Sequence, residues 1–104
     1  ERRFRAVTAD VCAQDFSRQD GSAAVNLAIN TSCEHMPSAE AWYGRLPAGI
    51  LQAFQSNDYF DCPEHVNCIA DLDAFKRQVP MTEVLYEGTL QRKRYSRFML
   101  VGRK

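Results

Sequence analysis

No stretch of this sequence comes near the roughly 20 consecutive apolar residues that a membrane-crossing helix requires, which argues against a transmembrane segment. Neither sign of charge prevails. Thirteen basic and thirteen acidic residues cancel to a formal net charge of zero, which removes the global electrostatic case for nucleic acid or an anionic membrane. Nothing repeats, and no low-complexity linker divides the chain, so residues 1–104 are read as a single domain. The Asp-x-Asp-x-Asp-Gly order of a calcium hand is missing from the acidic stretch around residues 58–73. Also missing are an initiating methionine and a leader. The chain begins Glu1-Arg2-Arg3-Phe4, which suits a trimmed, mature protein and sets the expectation of export to a periplasmic or extracellular space.

What is present is ordinary for a globular domain. Hydrophobic residues make up 45% and charged residues 25%, values that argue against disorder, and 104 residues are enough to bury a core without covalent help. Four cysteines, Cys12, Cys33, Cys62 and Cys68, form an even set. In an oxidising compartment such a set reads as two disulfides. Cys62 with Cys68 would close a small loop turned by Pro63, and Cys12 would join Cys33; Cys12–Cys62 with Cys33–Cys68, or the reverse, remain open.

The charges are polarised along the chain. Nine of the thirteen basic residues lie at the two ends, while residues 34–73 hold seven acids and one base, Arg45. Apolar alternation over residues 4–13 and at Ala23, Val25, Leu27 and Ile29 predicts two half-buried strands. Asp20-Gly21 would turn them into an N-terminal hairpin over 1–31. Residues 34–80 read as an insertion of short helices and loop. Pro37-Ser38 would open one helix; Leu46, Ile50, Leu51 and Phe54 fall at helical spacing for a second; Asp71 would cap a third, with Lys76 and Arg77 near its carboxyl end. Alternation resumes at Val84, Tyr86 and Leu90 and continues in the apolar run from Phe98 to Val101, predicting a C-terminal hairpin over 82–102. The expected class is α+β and β-rich: a small barrel or curled antiparallel sheet with a helical insertion.

Tyr86, Gly88, Leu90, Phe98 and Leu100 lie in a V-x-Y-x-G-x-L … Y-x-x-F-x-L-V pattern that resembles small bacterial exported proteins, periplasmic or lipoprotein, with OB-like barrels. The resemblance covers about the C-terminal third. It implies a fold and carries no functional residue, since such barrels host many activities.

Several constellations carry chemistry. Cys33, His35, Cys62, His65 and Cys68 are the residue types of a zinc module, but five residues separate Cys62 from Cys68 where zinc knuckles use two to four, so disulfides rank above metal. A Cys/His nucleophile lacks an oxyanion-hole signal, and the acidic cluster reads more simply as a solvated loop than as a catalytic pair, so no enzyme is expected and no cofactor. Arg3, Arg5, Arg92, Lys93, Arg94 and Arg97 would converge on one edge if the first and last strands paired, making a single-strand nucleic-acid or polyanion platform. The leading expectation is a non-enzymatic module, monomeric or weakly dimeric. It would recognise a protein partner through Trp42, Tyr43, Asp58, Tyr59, Asp61, Glu64 and His65 of the acidic, aromatic centre.

Overall fold

A computed structural model of the chain describes residues 4–16 and 25–104. Four strands, β1 (Leu27–Asn30), β2 (Leu51–Asn57), β3 (Glu83–Gln91) and β4 (Ser96–Arg103), form one mixed sheet in the order β1-β2-β4-β3. Two seven-residue helices, α1 (Ala39–Arg45) and α2 (Leu72–Gln78), and two 3-10 turns, Val11–Ala13 and Cys33–His35, complete an α+β architecture. Among the described residues no helix is long and apolar enough to cross a membrane.

β1 runs parallel to β2, with Leu27 opposite Leu51 and Asn30 opposite Phe54. A parallel pair needs a crossover, and residues 31–50, carrying α1, supply it. β4 pairs antiparallel with both β2 and β3. The sheet is open, with β1 and β3 at its edges, so these four strands do not close into the barrel that the C-terminal pattern implied. The pattern's residues instead lie on the β3–β4 hairpin.

Two expected elements differ. The N-terminal hairpin is not formed by the described residues: residues 4–10 carry no strand, Val11–Ala13 is a turn capped by Asp10, and β1 pairs with β2. The expected turn at Asp20-Gly21 lies outside the described residues. The helix expected over Leu46–Phe54 is β2 instead. Gly49, at a φ of 81°, turns the chain just before it, and Ile50, Gln52, Phe54 and Ser56 are buried at the two-residue spacing of a strand. The polar residues Gln52 and Ser56, also buried, hide that alternation from a reading of the sequence.

The α2 expectation holds. Asp71 accepts a hydrogen bond from the Ala74 amide at 2.7 Å, and Lys76 and Arg77 lie in the last turn. Lys76 also reaches across to Glu87 on β3 at 2.8 Å.

The two helices cover one face of the sheet. Phe54, Phe98 and Leu100 point into this core beside Trp42, Tyr43, Phe75 and Val79. The Trp42 and Phe54 rings lie 5.2 Å apart, and Tyr43 meets Phe54 edge-on at 6.1 Å. The chain's last residue, Lys104, ties the sheet to α1. Its ammonium donates to the carbonyls of Tyr43 (2.9 Å), Gly44 (3.1 Å) and Leu46 at the C-terminal end of that helix, where the Tyr43 carbonyl also accepts from the Leu46 amide. Gly102 is required where β3 approaches closely, because a Cβ there would collide with the Glu83 backbone carbonyl.

No helix among the described residues covers the opposite face. The registers place Leu27 and Ile29 of β1, Leu51 and Ala53 of β2, Met99 and Val101 of β4, and Tyr86 and Leu90 of β3 on it together. Ile29 is 67%, Leu90 56% and Tyr86 55% exposed. The alternation that predicted β1 was therefore real, but its apolar side points away from the core.

Candidate functional site

The 3-10 turn that follows β1 carries Glu34 and His35, and the loop between β2 and α2 carries His65. The main chain brings them together: the Asn67 amide donates to the Glu34 carbonyl at 2.9 Å, and the Asn67 side chain donates to the Cys33 carbonyl at 3.0 Å. The His35 and His65 rings meet edge to face, 4.6 Å between centroids and 87° between planes. One potential ligand atom from each of Glu34, His35 and His65 lies within 4.8 Å of the others.

Both imidazoles are oriented through Nδ1, His35 against the Glu64 carbonyl and His65 against the Tyr59 carbonyl, each at 3.0 Å. A carbonyl only accepts, so each Nδ1 carries a proton, and in the neutral ring Nε2 holds the lone pair. Glu34 is 8% exposed, its Oε1 is 3.8 Å from His35 Nε2, and its buried Oε2 has no hydrogen-bond partner among the described residues.

The cysteines do not behave as expected. All four are free thiols. Each of three has its own oxygen neighbour: Cys33 Sγ faces the Asn30 carbonyl at 3.8 Å, Cys62 Sγ donates to Glu64 Oε2 at 3.0 Å, and Cys68 Sγ lies 3.5 Å from Asn57 Oδ1. Cys12 sits apart, in the turn that Arg45 of α1 holds by donating to the Cys12 carbonyl at 2.6 Å. Neither expected disulfide is formed. The fold is held by its apolar core instead.

Nor do the thiols join the histidines as a zinc set. Burial and the neighbouring Glu34 carboxylate push Cys33 up to about 12, so its thiolate is strongly disfavoured. Cys62 is also raised, first by its hydrogen bond to Glu64, which in turn lowers that carboxyl. Burial raises Cys68. Glu34 is the residue missed by the sequence reading. The available signal was its adjacency to His35 in Cys33-Glu34-His35.

The residues expected to meet a partner divide. Trp42 and Tyr43 are each 4% exposed and belong to the core, where the Tyr43 hydroxyl donates to the Pro80 carbonyl at 2.8 Å. Asp58 is used internally, accepting from the Ser96 amide at 2.7 Å. Tyr59 packs edge-on against Tyr95 at 5.0 Å and His65 at 5.8 Å. Asp61 and Glu64 are exposed.

The basic platform does not assemble as expected, because its premise fails: β4 is flanked by β2 and β3, and residues 4–10 are not a strand. Arg92, Lys93 and Arg94 sit in the β3–β4 turn, and Arg97 stacks on Tyr95 at 5.8 Å. Arg5 belongs to the exposed N-terminal segment, and Arg3 lies outside the described residues.

Comparison with protein-family models, with curated proteins and with solved structures finds no match for the chain.

Proposed function

We propose that this chain is a protein-recognition module that docks through the bare face of its sheet. The observation that carries this reading is the apolar stripe crossing all four strands: Leu27 and Ile29, Leu51 and Ala53, Met99 and Val101, Tyr86 and Leu90. At a strand spacing of about 4.8 Å the stripe is about 14 Å wide. Apolar sheet faces are stable when a second layer covers them, and a contiguous exposed patch of this kind marks an interaction surface.

The same registers put Arg97 and Arg103 on this face, at the two ends of β4, with Glu83 of β3 opposite Arg103. An apolar centre with Arg97 at one end and Arg103 facing Glu83 at the other suits a partner whose apolar helix or sheet face carries an acid at the edge that meets Arg97. The sequence pointed to the acidic, aromatic centre of the chain for this role. The sheet face is the better surface because Trp42, Tyr43 and Asp58 are already used inside the fold.

The test pairs Ile29→Glu with Leu90→Glu, one on each edge strand. Native-host extract is passed over the immobilised wild type and the double variant, and recovered proteins are compared with melting curves of both. Loss of the specific partner at an unchanged fold is expected. Recovery of the same partner by both proteins overturns the reading.

A further inference from the structure

We propose that Glu34, His35 and His65 form a binding site for one first-row divalent metal ion of the zinc class. This inference is independent of the sheet-face reading and uses different residues.

Three observations carry it. The first is convergence: ligand atoms from two segments, about thirty residues apart in sequence, come within 4.8 Å of one another. The second is orientation. Both Nδ1 atoms are held at 3.0 Å by backbone carbonyls of the same loop, Tyr59 and Glu64. That is how metal-ligating imidazoles are fixed in tautomer and direction, with the opposite nitrogen free to coordinate. The third is the buried carboxylate. Glu34 is 8% exposed, and its Oε2 has no hydrogen-bond partner among the described residues. An unpaired buried acceptor is costly, and a cation relieves it.

The donor set selects the ion. Two imidazole nitrogens and one carboxylate oxygen suit zinc, cobalt, nickel or iron(II), whereas calcium and magnesium call for oxygen ligands throughout. Bonds of about 2.0–2.1 Å would bring tetrahedral ligand atoms to about 3.3 Å apart. The 4.8 Å limit, which holds for one nitrogen of each ring and one carboxylate oxygen, leaves that set at most about 1.5 Å of closure per pair. His35 can make that adjustment, since its side chain is 45% exposed on a short turn. Three protein ligands leave the rest of the coordination sphere to water. Binding would clamp the turn after β1 to the loop before α2.

The test uses the full chain freed of metal with a chelator, then titrated with zinc and with cobalt. One equivalent is expected to bind and to raise the melting temperature. The cobalt spectrum should show d–d bands without the thiolate-to-cobalt absorption that cysteine ligation produces. Glu34→Gln and His65→Gln should each weaken binding by at least about 100-fold, whereas Cys62→Ser should leave it unchanged. Because Glu34→Gln removes a buried charge, the metal-free variant should melt no lower than wild type, which separates lost binding from lost folding. Absence of stoichiometric binding overturns the proposal. So do thiolate bands that vanish in Cys62→Ser, and binding insensitive to both ligand substitutions. The Ile29→Glu/Leu90→Glu protein should bind metal like wild type, so the two proposals fail separately.

Discussion

Ile29 and Phe54 sit on neighbouring strands of one sheet but on opposite faces, and replacing each separates the two faces energetically. Phe54 is fully buried against Trp42 and Tyr43, and Phe54→Ala should cost about 3–5 kcal/mol through lost transfer energy and an unfilled cavity. Ile29 is 67% exposed, so about a third of its side chain is covered. Full burial of isoleucine is worth about 1.5–3 kcal/mol, and that third corresponds to about 0.5–1 kcal/mol lost in Ile29→Ser. A domain of this size melts about 4–8 °C lower per kcal/mol, giving a drop of about 2–8 °C for Ile29→Ser. Phe54→Ala should instead remove a large part of a total stability of about 5–15 kcal/mol. Urea and thermal denaturation followed by circular dichroism measure both, with the urea slope as a check that the transition stays two-state. A cost above about 2 kcal/mol for Ile29→Ser would show that this side chain is covered in the isolated protein, and the argument for a bare face would fail.

Two further outcomes follow from contacts in the fold. Lys104→Met removes the ammonium that serves three carbonyls at the end of α1 and should cost about 1–2 kcal/mol, measurable as a lower urea midpoint; an unchanged midpoint would mean that water replaces it without loss. Cys33 is raised to about 12 in the folded state from an ordinary value of 9.0, so the folded protein holds a proton there that the unfolded chain releases. Its contribution to stability is complete below pH 9 and is lost as pH climbs towards 12; the fall should be shallower in Cys33→Ala, and equal slopes in the two proteins would refute the assignment.

How much of this was legible in the sequence depended on whether a local signal had a local cause. Asp71 with Lys76 and Arg77 marked α2 because capping and the helix dipole act within a few residues. The C-terminal hairpin was legible from its alternation, as was β1, yet period alone does not say which face is buried. For Leu27 and Ile29 that was decided by where the crossover places α1. β2 was misread because Gln52 and Ser56 occupy buried positions, leaving Ile50, Leu51 and Phe54 at spacings that also fit a helix. The histidines were noticed by residue type, but their pairing is a product of tertiary contacts, above all those of Asn67 with Glu34 and Cys33. Attention to the thiols passed over Glu34, a carboxylate whose burial leaves an oxygen without a partner among the described residues.

The parallel pairing of β1 with β2 has a kinetic consequence. Gln91 meets Ser96 across a short turn, so β3 and β4 zip together at little entropic cost, whereas Leu27 reaches Leu51, 24 positions on, only after the crossover of residues 31–50 has closed around α1. With four residues on an outer edge, β1 is the strand expected to dock last and to open first. Glu34 and His35 hang directly from its end. Amide hydrogen exchange in Leu27–Asn30 is therefore the natural clock for that corner of the molecule, slowing whenever the turn beyond it is pinned.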